Sequence, residues 1–125
     1  MSDADQPTTP LHILVVEDNP DAQFLVCELL GMLGHRALPC GSGEAARAHL
    51  QAQCFDVLFT DVNLPGISGV ELARGALLAQ PALKVIFASG MRGPLAGHVS
   101  FAAVSLQKPY DVEQIESALR QLYKD

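Results

Sequence analysis

No apolar run in the 125-residue chain approaches the roughly 20 residues that cross a bilayer as a helix, so nothing in it reads as a helical membrane anchor. Met1 to Pro10 is polar and lacks the basic-then-apolar pattern of an export signal. Residues 1–10 therefore read as a flexible lead, 11–125 as one domain, and the chain as cytoplasmic. There is no surplus of positive charge. The net charge of −6 argues against direct nucleic-acid binding, which is driven by neutralising phosphates. Cysteine is scarce: Cys27, Cys40 and Cys54 form no C-x-x-C pair and read as reduced thiols. His12, His35, His49 and His98 lack zinc-site spacing. Internal repeats and low-complexity tracts are absent too. What is present is apolar residue, at 49% of the chain, enough for a packed core and too much for disorder.

The stretch from Phe55 to Gly66 organises that core. Val57, Leu58 and Phe59 form a short run of β-formers uninterrupted by polar residues, which predicts a fully buried strand ending at Asp61, before Pro65-Gly66 breaks the chain. Leu11 to Val16 predicts an earlier strand that ends at Glu17-Asp18. Asn19, Pro20 and Asp21 then suit the cap, first turn and dipole end of a helix running to about Leu33. Its expected apolar face holds Ala22, Leu25, Val26, Leu29, Leu30 and Leu33, and Gly34 ends it. His35 to Cys40 is a weak strand. Pro39 inside it cannot donate to ladders on both sides, which places it at a sheet edge. Ser42 caps a short helix over 44–52. Ser68 with Glu71 fits a capping box opening a third helix to about Gln80, with Val70, Leu72, Ala73, Ala76 and Leu77 packing inward. Lys84 to Ala88 is a fourth strand, with Ser89-Gly90 at its end. Gly93, Pro94 and Gly97 weaken any helix over 91–101. Ala102 to Gln107 is a fifth strand, ending at Lys108-Pro109. Asp111 with Gln114 caps a last helix to about Tyr123, with Val112, Ile115, Ala118, Leu119 and Leu122 inward.

Five strand–helix units with short loops predict an α/β fold, a doubly wound five-stranded parallel sheet of order 2-1-3-4-5 with helices on both faces. In that order the carboxyl ends of strands one, three, four and five meet at one crevice, the ligand edge of open α/β sheets. There stand Glu17, Asp18, Asp61, Ser89 and Lys108. Three crowded carboxylates need a proton or a cation at neutral pH, and all-oxygen ligation points to Mg²⁺. With the Lys108 ammonium and the Ser89 hydroxyl, the set suits clamping a phosphoryl group in transfer to the Asp61 carboxylate.

Glu17-Asp18, Asp61 in F-x-V-L-F-T-D-x-N-L-P-G, Ser89-Gly90 and Lys108-Pro109 together resemble the signature of receiver domains of two-component response regulators, over Leu11 to Tyr123. The resemblance implies a signalling switch, not a conventional enzyme, that promotes its own phosphoryl transfer and dephosphorylation. Asp61 matches the acceptor of a phosphoryl group from a histidine kinase or histidine phosphotransfer protein. Asp18, Asp61 and the backbone carbonyl of Asn63 match direct Mg²⁺ ligands, and Glu17 matches an acid acting through water. Ser89 matches the switch hydroxyl, Lys108 the phosphoryl charge partner, Lys108-Pro109 a bond that is often cis, and Gly90 a small residue that leaves the acceptor open.

Two features depart from the family pattern. The aromatic common three residues before the lysine is replaced by Ser105, and the region between Ser89 and Lys108 is short. Phosphorylation is then expected to reorganise 91–101 directly, and unchanged amide exchange there would count against this. Phe101 as a substitute gate is weighed against plain core packing. Apolar Met91 beside the switch position predicts slow self-dephosphorylation, and a decay faster in wild type than in Met91→Glu would argue the reverse. A phosphatase reading fails on Asn63, which cannot serve as the acid two residues past the nucleophile. A nucleotide-binding reading lacks a phosphate loop after strand one. A receiver that binds a partner without phosphorylation is opposed by the intact acid set and kept open by Ser105. The sequence stops soon after the last helix. A stand-alone protein and the receiver of a hybrid kinase both stay open, as do dimerisation and the downstream effector.

Overall fold

The computed structural model describes residues 10–90 and 103–123. Nine elements follow in order: β1 (His12–Val16), α1 (Pro20–Met32), β2 (Arg36–Cys40), α2 (Gly43–Ala52), β3 (Val57–Asp61), α3 (Gly69–Ala79), β4 (Lys84–Ser89), β5 (Val104–Gln107) and α4 (Val112–Leu122). The strands form one parallel sheet ordered β2-β1-β3-β4-β5, as the alternation predicts. β2 is an edge strand, with Pro39 in register with Val15. The expectations for 91–101, Phe101, Met91 and the 1–9 part of the lead fall outside the described residues.

Burial explains the runs. In β1, Ile13 and Val15 enter one core while Leu14 and Val16 enter the other, so both faces of the strand are apolar. The first core joins β1, β3 and β4 to Val26 and Leu30 of α1 and to Ile115 and Leu119 of α4. The second joins the opposite sheet face to Leu50 of α2 and to Leu72, Ala73 and Ala76 of α3. β3 is buried at all five positions, so its end is held from both sides.

Caps form where the polar residues predict. Asn19 Oδ1 accepts from the Ala22 amide at 3.0 Å, Ser42 Oγ from Ala45 at 3.1 Å, and Ser68 Oγ from Glu71 at 3.2 Å. Asp111 and Gln114 form the full reciprocal box, both bonds at 2.9 Å, whereas at Ser68 only the serine half forms. Gly34 follows α1 with φ +89°, the left-handed C′ conformation. One packing expectation fails. Leu25 is 51% exposed and does not join the inward face of α1. Its neighbour Val26 takes the core position, and successive helical residues are about 100° apart, so Leu25 turns outward beside Phe24. α3 ends at Ala79 with Gln80 as its C-cap, as expected. Gln80 leaves the helix and its Nε2 donates to the carbonyls of Leu50 and Gln53 at 2.9 and 3.0 Å, tying α3 to the end of α2.

Candidate functional site: an acid cluster with a lysine contact

The carboxyl ends of β1 and β3 lie side by side in the middle of the sheet, which brings Glu17 and Asp18 beside Asp61. One oxygen from each of the three lies within 4.8 Å of the others. Glu17 and Asp61 are buried and Asp18 is exposed. This is the arrangement the order of strands predicts, with two acids gripped by the fold and one facing outward.

Lys108 closes the cluster from the end of β5. Its Nζ donates to Glu17 Oε1 at 2.9 Å and to Asp61 Oδ2 at 3.0 Å. Burial disfavours the ammonium, but the hydrogen bonds and charges of Glu17 and Asp61 outweigh it and hold the lysine pKa above its ordinary 10.5. The main chain fixes the same corner, where the Lys108 amide donates to the Ser89 carbonyl at 2.8 Å. Ser89 ends β4, half-buried and in register with Gln107. The Lys108-Pro109 peptide is cis.

Each acid is oriented by its own neighbours. Glu17 Oε2 accepts from the Asn19 amide at 3.1 Å, and Asp61 Oδ1 from the Asn63 amide at 3.3 Å. Asn63 is therefore tied to the cluster through its N–H, in the loop after β3. Gln23 was not singled out from the sequence. Its Nε2 donates to the Glu17 and Cys40 carbonyls at 3.0 and 3.1 Å, pinning the ends of β1 and β2 to α1. Gly69 was also missed as a support of the site. A Cβ there would overlap the Asp61 carbonyl oxygen, so only glycine lets α3 begin against the end of β3. Neither role has a local signal, because each depends on a contact between separate segments.

Beside the acids, Ala22, Leu25, Lys108, Pro109 and Tyr110 line a cavity of about 200 Å³. The Tyr110 ring meets Phe59 edge-on at 5.9 Å, and burial pushes its hydroxyl up to about 12. Ser105 is exposed on β5, in register with Phe87, so the position of the missing aromatic faces outward.

The donor set fits Mg²⁺. Three hard carboxylates converge, and two of them are buried with one ammonium, that of Lys108, between them among the described residues, leaving negative charge there for a dication to neutralise. Asp18, exposed and beside the buried pair, supplies an accessible oxygen.

A doubly wound parallel sheet with an acid cluster and a lysine at its carboxyl edge defines the class: a flavodoxin-like α/β domain with a charged site at the carboxyl ends of its strands. The response regulator receiver domain profile matches residues 13–120, and the chain belongs to that family. It is 33% identical over 100 residues to the response regulator receiver protein CpdR of Brucella abortus, covering 80% of this chain and 75% of that protein. It is 44% identical over 77 residues to the virulence sensor protein BvgS of Bordetella pertussis, covering 62% of this chain. The chain spans only 6% of the length of that sensor. A response regulator receiver domain from Methylobacillus flagellatus superposes with TM-score 0.80 at 30% identity, covering 91% of this chain and 99% of that one. The response regulator TrrA of Thermotoga maritima, solved in complex with Mg(2+)-BeF, superposes with TM-score 0.82 at 26% identity over 90% of this chain and 98% of that one.

Proposed function

We propose that the chain takes a phosphoryl group onto Asp61 from a phosphohistidine and uses it as a signalling switch. The observation that carries this reading is the contact of Lys108 with both Glu17 and Asp61. It leaves the acceptor carboxylate buried, oriented and paired with a cation that suits phosphoryl oxygens. In the transfer, an Asp61 oxygen forms the new bond to phosphorus, the N–P bond of the donor imidazole breaks, and the imidazole leaves with the electron pair. Lys108 turns its ammonium from carboxylate to the equatorial phosphoryl oxygens, where charge gathers in the transition state. Ser89 supplies a hydroxyl to the product, and Asn19 and Asn63 hold the two acids in place through their amides. Asp18, Asp61 and the Asn63 carbonyl would hold Mg²⁺, with Glu17 acting through water, and the ion would supply charge neutralisation.

The donor is a histidine kinase or histidine phosphotransfer protein, the compartment the cytoplasm, and the output a protein partner. Binding to nucleic acid is opposed by the net charge of −6. Among the described residues no helix is long and apolar enough to cross a membrane. Self-dephosphorylation is slow, a reading that rests on Met91 in the sequence. The test is intact mass after incubation with acetyl phosphate. A gain of one phosphoryl group with Mg²⁺, lost on chelation and in Asp61→Asn, is the expected result. No gain would shift the function to a domain that binds its partner unphosphorylated.

A further inference from the structure

The loop over 62–68 joins β3 to α3 and carries Asn63 along one side of the acid cluster. Its α3 end is fixed by the Gly69 amide, which donates to the Val62 carbonyl at 2.9 Å. Its outer side rests on the first turn of α2. Ile67 packs over Gly43, the buried first residue of that helix. A Cβ on Gly43 would overlap Ile67 Cγ1 and come within 2.8 Å of Cδ1. One residue along in the helix, the Glu44 carboxylate lies over Gly66, where a Cβ would stand 2.5 Å from Oε2. Two successive loop residues thus meet two successive helix residues, and each meeting has room because one partner is glycine.

The platform under the loop is itself rigid. Ser42 caps α2, and Ala46 and Leu50 are buried in the core. Gly43 needs no special backbone conformation, since its φ lies outside the left-handed region. An alanine at this helical position raises local helix propensity. Its conspicuous steric demand is the space that Ile67 fills.

We infer that Gly43 is a positioning residue for the metal site. Its bare Cα seats Ile67, and that seat sets how the 62–68 loop presents the Asn63 carbonyl to Glu17, Asp18 and Asp61. The inference rests on the Mg²⁺ reading given above. Gly43 touches none of the ligands and acts through Ile67.

The experiment is calorimetric titration of Mg²⁺ into the full chain, with circular dichroism to establish folding. The variants are Gly43→Ala, Ile67→Ala, the Gly43→Ala/Ile67→Ala double variant, and Gly41→Ala, whose added methyl meets open space. Gly43→Ala weakens Mg²⁺ binding by about tenfold, the scale seen when outer-shell supports are lost. Gly41→Ala binds as wild type does, and the double variant regains most of the affinity, because the new methyl fills the space that the truncated Ile67 vacates and supports the loop in its place. Wild-type affinity in Gly43→Ala, or a double variant as weak as the single, overturns the inference. If Gly43→Ala does not fold, Ile67→Ala probes the same contact from the other side, and wild-type affinity there is equally fatal. A wild-type chain that binds no Mg²⁺ overturns the metal reading itself, and the inference with it.

Discussion

Replacing Lys108 with methionine keeps most of the side-chain volume and removes the ammonium between Glu17 and Asp61. Two charge-assisted hydrogen bonds, at 2.9 and 3.0 Å, disappear together. The two carboxylates stay buried. Removing one side of a buried ion pair costs about 3–5 kcal/mol, because the remaining charge is left uncompensated. The Lys108 side chain is 29% exposed, so water already screens part of the interaction and the lower end applies, about 3 kcal/mol. With a urea m-value of about 1.5–2 kcal/mol/M for a domain of this size, the midpoint at pH 7 falls by about 1.5–2 M. Circular dichroism in urea without divalent ions measures it. Adding Mg²⁺ narrows the deficit, since a dication neutralises the same carboxylates. The pH dependence has a definite sign. The folded lysine pKa lies above 10.5, so the wild-type advantage is complete below 10.5 and is lost as pH rises through the folded value. A midpoint within about 0.3 M of wild type would refute the reasoning, because it would mean that the contact contributes nothing net.

Two further perturbations test the supports of the site. Gly69→Ala should lower stability by about 1–3 kcal/mol through overlap with the Asp61 carbonyl, although alanine favours helices; a urea midpoint at or above wild type would contradict this. His35 Nδ1 accepts from the Leu11 amide at 3.0 Å, and burial lowers its pKa below 6.5. The neutral ring therefore contributes stability above pH 6.5 that is lost as pH falls through the folded value. The stability difference between wild type and His35→Ala should be constant from pH 8 to about 6.5 and shrink below that, and a flat difference down to pH 5 would exclude the linkage.

Much of this was legible in the chain because it is local. Burial on both faces makes β3 an unbroken apolar run, so its end at Asp61 shows in the sequence. Pro39 marks an edge because it lacks an amide proton. Asn19, Ser42 and Asp111 cap helices through bonds that span three residues. The convergence of Glu17, Asp18, Asp61 and Lys108 then follows from the strand order alone. What was not legible depends on contacts across the fold. Leu25 fits an apolar helix face as well as Val26 does, and only the position of the sheet decides which of them is buried. Gly43 and Gly69 read as turn or helix-start residues, and their demands come from Ile67 and from the Asp61 carbonyl. The direct bond from Lys108 to Glu17 spans 91 residues and has no periodicity to announce it.

The central claim is that Asp61 itself carries the phosphoryl group. Borohydride reduces an acyl phosphate to an alcohol, which converts a phosphorylated aspartate to homoserine and marks its position. Peptide mapping after phosphorylation with acetyl phosphate and Mg²⁺ should find homoserine at position 61 and nowhere else. Homoserine at position 18, or no reduced residue in a protein whose mass has risen by one phosphoryl group, would contradict the account.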